Sequence, residues 1–333
     1  MKKVIALLFL PLIFIGQIRK EISLNYPVKD YSGTTNSLKV IDGRPDKNIG
    51  QFVSRGQTYQ LRFPTEDPVE DIQNWFERFN KNRKKGNRDL ILYLEKLKVK
   101  DEVENDEIFC VLDFKVSTFV SDGNGYYFLD RYDNILRLSN KDYGNISSIF
   151  EENIGKVIQK LLFDSYRAKS IEQSIPKEEL ANYENILKIS KPAFTENALN
   201  DGVYLNSEDF FSQKPLEGYQ LNTKENGKVE AVGTNGKLAQ RKIFIYVHQG
   251  KAFKNTNIGF LPLEKDDRGY FIMSNRLALF PEEIKVSPVF FFFGAVGGIA
   301  AGITVAAKHQ NAAEGIKNKI YLDFLTGDYS FTK

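Results

Sequence analysis

Apolar residues recur at Val69, Ile72, Trp75, Phe76 and Phe79, the three-and-four spacing of one helical face, and predict a helix starting at Asp67-Pro68. Asp67 suits the cap and proline suits the first helical position. The basic run Lys81, Arg83, Lys84 and Lys85 is expected in the last turn, where cations complement the helix dipole, and Gly86 is expected to end it. A longer helix is predicted over 146–168, with Ile149, Phe150, Ile154, Val157, Ile158, Leu161 and Leu162 as the stripe that faces a core. Residues 37–41 and 57–63 alternate as half-buried strands do. After the first of them, Asp42-Gly43-Arg44-Pro45-Asp46 is a turn, because Asp and Gly tolerate unusual dihedrals and Pro presets one. Three more strands are expected over 89–99, 107–120 and 126–138, the last two joined at Asp122-Gly123. The first half, 22–169, therefore reads β-β-α-β-β-β-α, an α+β arrangement with helices on one face of an antiparallel sheet.

Residues 170–200 read as a helical connector, opened at Pro176-Lys177-Glu178-Glu179, running to about residue 189 and stopped by Pro192. A β-rich domain is expected over 201–333. Its strands are predicted at 241–247, 269–273 and 320–325, parted by Asn226-Gly227, Asn235-Gly236, Gln249-Gly250, Asp267-Arg268-Gly269 and Thr326-Gly327-Asp328.

One stretch departs from this pattern. Residues 289–307 carry no charge, and Thr304 is their only polar side chain. Phe290, Phe291, Phe292 and Phe293 make a bulky end, followed by Gly294, Gly298, Gly302 and Ala306 at intervals of four. Small residues at that interval line one helix face and admit a close neighbour, as in a glycine zipper. Three readings stand: a membrane-inserted helix, a helical arm or helix buried against the β domain, and a pair of buried strands bending at Gly297-Gly298. The length is at the low edge for spanning. The strand expected at 320–325 needs a sheet to join, which favours shallow insertion or a loop-back over a crossing.

The N-terminus changes the picture further. Lys2 and Lys3 precede an apolar run over 4–15, then Gly16, the layout of a secretory signal peptide occupying residues 1–16. Its removal takes two lysines and leaves 44 basic side chains against 43 acidic, so no overall field draws in nucleic acid. Cys110 is the single cysteine and is expected to be a buried, inert thiol, so export comes without a disulfide scaffold.

Ile22-Ser23-Leu24-Asn25-Tyr26-Pro27, the Asp42-Gly43-Arg44-Pro45-Asp46 segment continuing to Ile49-Gly50, the Asp89-Leu90-Ile91-Leu92 strand and the closing amphipathic helix resemble the small periplasmic auxiliary lipoproteins of transport systems. The resemblance covers about residues 22–168. It implies a non-enzymatic protein beside envelope transport or assembly machinery. The lipid-anchor cysteine of that family has no counterpart here. The Gly202-Val203-Tyr204 opening, the Phe244-Ile245-Tyr246 strand and the Tyr321-Leu322-Asp323 ending resemble secreted bacterial proteins of unknown function, which imply no activity.

His248 and His309 are the only histidines, and no nucleophile elbow, phosphate loop or His-Glu-x-x-His helix occurs, so no cofactor or metal is expected. A glycosidase needs only two carboxylates. Asp42 with Asp46, and Asp122 with Asp130, are the pairs nearest turns, where turn chemistry explains them as well. The basic run 81–88 meets either solvent or an anionic partner. The sequence thus leads to an exported, non-catalytic accessory or binding protein of the envelope, with an envelope protein or membrane lipid as partner and the turn Asp42, Arg44, Asp46 as a candidate binding element. A secreted hydrolase using a carboxylate pair and a self-assembling structural protein are the alternatives.

Overall fold

The structure is a computed structural model that describes residues 17–104, 106–223, 229–234, 236–280 and 317–331. The expected signal segment 1–16, the apolar segment 289–307, His309 and the Asn226-Gly227 turn lie outside them.

The first half builds a five-stranded sheet in the order β2-β5-β6-β7-β8 from β2 (Thr35–Asp42), β5 (Arg88–Glu104), β6 (Glu107–Ser121), β7 (Gly125–Ser139) and β8 (Ile175–Pro176). The fold is α+β, as the periodicities predict. The sheet is antiparallel except at β2, which runs parallel to β5 because helix α1 (Pro68–Asn80) lies between them in the chain. Two four-residue strands escaped the periodicity, β1 (Ile18–Glu21) and β3 (Gln51–Ser54), since one or two apolar positions define no period. They flank β4 (Gln57–Arg62) in a small separate sheet.

Asp67 caps α1 as expected, accepting from the amides of Val69 at 2.8 Å and Glu70 at 3.3 Å. The helix stops at Asn80, before the basic run, not at Gly86. The Asn80 amide donates to the carbonyls of Phe76 at 2.9 Å and Val28 at 3.1 Å, competing for the helix's own acceptors and tying its end to the preceding chain. Gly86 serves close approach instead, since a Cβ there would lie 2.0 Å from the Thr34 carbonyl oxygen. Helix α2 (Ile146–Arg167) buries its apolar stripe in the same cluster as α1. Gly155 in α2 lets the chain at Ser23 cross against the helix, where a Cβ would meet the Ser23 carbonyl oxygen at 1.9 Å. Between helices and sheet lies a mainly apolar core that includes Leu90, Leu92, Leu94, Leu112, Phe114, Val116, Trp75, Phe76, Phe150, Ile154 and Ile158, with the buried hydroxyls of Thr118 and Ser165 bonded to each other at 2.6 Å.

The connector is more broken than its pattern suggests. A 3-10 turn over Lys177–Asn182 precedes α3 (Tyr183–Ile189), which ends where expected, and Pro192 also opens a further short helix, α4 (Pro192–Thr195). Beyond it, β9 (Gly202–Tyr204) and α5 (Ser207–Phe211) lead to a small sheet of β10 (Tyr219–Thr223), β11 (Val229–Gly233) and β12 (Gly236–Lys237). A seven-stranded antiparallel sheet then runs β18-β17-β16-β15-β14-β13-β9, with β13 (Ile245–His248), β14 (Lys251–Thr256), β15 (Gly259–Lys265), β16 (Tyr270–Ser274), β17 (Asn318–Leu322) and β18 (Tyr329–Ser330). The strand expected from residue 241 begins at Ile245, because Gln240–Lys242 forms a 3-10 turn. After α6 (Arg276–Leu279) the chain leaves the described residues and returns as β17, paired with β16.

The second face of the first sheet is buried by the second half. Ile91, Tyr93, Phe119, Tyr126 and Phe128 share one apolar cluster with Ile175, Tyr183, Phe210, Phe211, Tyr270 and Phe324. The rings of Phe210, Phe211 and Tyr270 lie 5.1–5.7 Å apart at steep angles, the edge-to-face geometry favoured by ring quadrupoles.

Candidate binding site

The turn after β2 brings Asp42 and Arg44 together and leaves Asp46 apart. Arg44 is 4 % exposed, and its Nε and Nη2 donate to the two Asp42 oxygens at 2.9 Å each, a bidentate pair. Burial alone raises the Asp42 carboxyl, but the Arg44 fork overrides it and holds the group below its ordinary value. Arg44 Nη1 is buried with no hydrogen-bond partner among the described residues. Asp46 is turned to Lys98, whose hydrogen bond lowers its pKa, and it accepts from the Asn48 amide at 2.9 Å. These acids therefore hold a turn and do not face one another.

Asp122 accepts from the amides of Asn124 at 2.8 Å and Gly125 at 2.9 Å, closing the hairpin between β6 and β7. Asp130 lies five residues beyond Gly125 along β7, roughly 16 Å at strand rise. Burial pushes the Asp130 carboxyl up to about 7, and the charge of Asp164 on α2 adds to the rise. The structure does not bring this pair together either.

Cys110 is fully buried, and burial pushes its thiol up to about 12; it donates to the Val53 carbonyl at 3.3 Å. Such a thiol is inert as a nucleophile. His248 ends β13. The packing residues Phe290, Phe291, Phe292, Phe293, Gly294, Gly298, Gly302 and Ala306 lie outside the described residues. Among the described residues no helix is long and apolar enough to cross a membrane, and no His, Cys, Asp or Glu cluster is arranged to hold a metal.

Two groupings were missed by the sequence. The first is an ionic cluster in the seam between the halves. Arg131 on β7, 5 % exposed, pairs through Nε with Asp323 and through Nη1 with Glu184 at 3.2 Å and the Tyr183 hydroxyl at 3.3 Å. Lys115 on β6 pairs with Glu184 and with Glu95 at 3.1 Å, and Tyr183 donates to Glu95 at 3.1 Å. Burial opposes the charge on Arg131, but Asp323 keeps its pKa well above the ordinary value. Burial likewise works to raise Glu184, and Arg131 and Lys115 hold it low. The available signal was face parity, since Lys115 and Ser117 share a strand face with the apolar Phe119.

The second grouping is a cleft of ≈ 500 Å³ beside α1, whose lining includes Glu21, Asp71, Trp75, Arg78 and Glu151. Each of its acids is engaged. Glu21 meets Arg62 at 2.7 Å, Asp71 accepts from the Thr65 amide at 2.9 Å, and Glu151 meets Lys20 at 3.4 Å. Arg78 donates to the Leu24 carbonyl at 2.6 Å, and Trp75 to that of Tyr26 at 2.8 Å. The acids of the cleft are spread over β1, α1 and α2. The chain matches no family model, no curated protein and no solved structure.

Proposed function

We propose that this is an exported cell-envelope protein acting as a non-catalytic accessory or binding module, in the manner of the transport-auxiliary lipoproteins that its first half resembles. Segment 289–307 would meet a membrane or a partner protein. The observation that carries this reading is the pairing of β16 with β17 in the register Ser274 opposite Asn318. The chain that holds this segment runs on from β16 through α6 and is described again at β17, so the strands on either side of it belong to one sheet. A segment tethered this way suits shallow insertion or loop-back packing, and a single crossing would put two paired strands on opposite sides of a bilayer. The non-catalytic part rests on the engaged acids of the cleft and of the Asp42 turn, which leave binding as the chemistry they support.

Cell fractionation of the full-length chain followed by an alkaline membrane wash tests the reading. Retention in the washed membrane is expected, with loss on deletion of 289–307 while the thermal transition is kept. Intact mass should show loss of residues near 1–16. Recovery of an unprocessed chain in the cytosol would overturn it.

A further inference from the structure

Three segments far apart in sequence meet at the end of the molecule where α1 and α2 both stop. They are the turn over 29–36, the loop over 81–88 and the chain over 166–169. Arg88 joins them by donating to the carbonyls of Tyr166 at 3.2 Å and Ala168 at 3.1 Å, while its amide donates to Thr34 at 3.2 Å. Thr34 Oγ1 donates to the Tyr166 carbonyl at 2.8 Å, and Arg83 donates to the carbonyls of Thr35 and Asn36. With the half-buried guanidiniums of Arg83 and Arg88 absorbed by backbone acceptors, the loops are held and the other cations are left to solvent. Lys29, Lys81, Lys84, Lys85, Arg167 and Lys169 are all exposed. The one acid in the three segments, Asp30, is 2 % exposed and is consumed by the amides of Ser32 at 2.9 Å and Thr35 at 2.8 Å. Among them stands Tyr31, 75 % exposed, with Lys29 Nζ 5.4 Å from its ring centre.

We infer that this end is a docking face for an anionic lipid surface, with the six cations meeting headgroup phosphates and Tyr31 seated at headgroup level. Clusters of four to eight Lys or Arg side chains bind anionic leaflets, each long stem letting its cation reach the phosphate layer. Tyrosine, apolar in its ring and polar at its tip, belongs at that depth. A single-strand nucleic-acid site would need a row of stacking rings along a groove, and this end exposes Tyr31 as its one large ring among the described residues. The face shares no residue with segment 289–307. It rests on the envelope reading only for which membrane it meets.

Sedimentation of the full-length protein with vesicles of phosphatidylcholine alone, or with one-third phosphatidylglycerol, tests it. Reading the difference between the two vesicles cancels whatever the apolar segments contribute. Binding is expected to rise with phosphatidylglycerol and to fall with added salt, as exposed charges are screened. The Lys84→Ala/Lys85→Ala variant should lose roughly 25-fold of that difference, about 5-fold per lysine, with its thermal transition unchanged. Tyr31→Ala should weaken binding to anionic vesicles without changing the salt dependence. Equal binding to both vesicles, an unaffected double variant, or retention of single-stranded DNA without a preference for anionic lipid would each overturn the inference. Cytosolic recovery together with charge-dependent vesicle binding would remove the envelope reading and leave this face standing.

Discussion

The two faces of the five-stranded sheet are buried by different means. The face under α1 and α2 is dry, and its cover comes from the same half of the chain. The face toward the second half mixes Phe119 and Phe128 with Glu95, Lys115 and Arg131, and its cover includes Asp323, 192 residues from its partner Arg131. The dry face gains free energy in proportion to area and is indifferent to which apolar residue sits where, within volume. The ionic face gains little net energy from its pairs, because desolvation offsets attraction, but it penalises any arrangement that strands a charge. Both faces bury apolar side chains, and the charges of the seam add a penalty on any docking of the halves that strands one of them.

Removing one charge from the seam breaks this comparison hardest. Arg131→Met leaves Asp323 buried without its partner and should cost about 4 kcal/mol in denaturant unfolding. It should also expose residues 170–200 to limited proteolysis. The double variant Arg131→Met/Asp323→Leu should recover most of that loss, and a double variant as unstable as the single would show that the pair does more than avoid a stranded charge. On the dry face, Leu92→Ala should cost about 3 kcal/mol through cavity formation, with no change in salt dependence.

Asp130 sharpens the contrast through pH. Its native pKa near 7 lies above the unfolded value near 4, so the native state holds the extra proton between them. Its contribution therefore falls as pH rises from about 4 to about 7 and is flat above. Asp130→Asn keeps the acceptor for the Arg131 amide and should stabilise by on the order of 2 kcal/mol at pH 8. The gain should vanish below about pH 4. Asp67→Ala removes the cap of α1 and should cost about 1 kcal/mol, measured as a shift in the thermal transition. Val103, 72 % exposed at the tip of the β5–β6 hairpin, lies beyond both covers, and Val103→Asp should change stability by less than about 0.5 kcal/mol.

The elements with enough turns or alternations to define a period were legible: α1 from its cap, α2 from its stripe, and the strands β5 to β7. The four-residue strands β1 and β3 were not, and neither was the end of α1, because Asn80 stops it through a side-chain bond to Val28, 52 residues earlier. The candidate site was legible only in part. The Asp42 turn forms, but its acids serve the turn, and the cleft between α1 and the chain at residues 22–25 left no pattern to read.

By itself the sequence determined the α+β class, the N-cap of α1, most turns and the helix-covered face of the sheet, because periodicity and capping are local and act within a few residues. Tertiary structure alone decided that Lys115 and Arg131 are interior, that β16 pairs with β17, and that six exposed cations share one end of the molecule. Those outcomes depend on which distant segments meet. A charged residue at an alternating strand position reads as solvent-facing until a partner such as Asp323 arrives to replace the water.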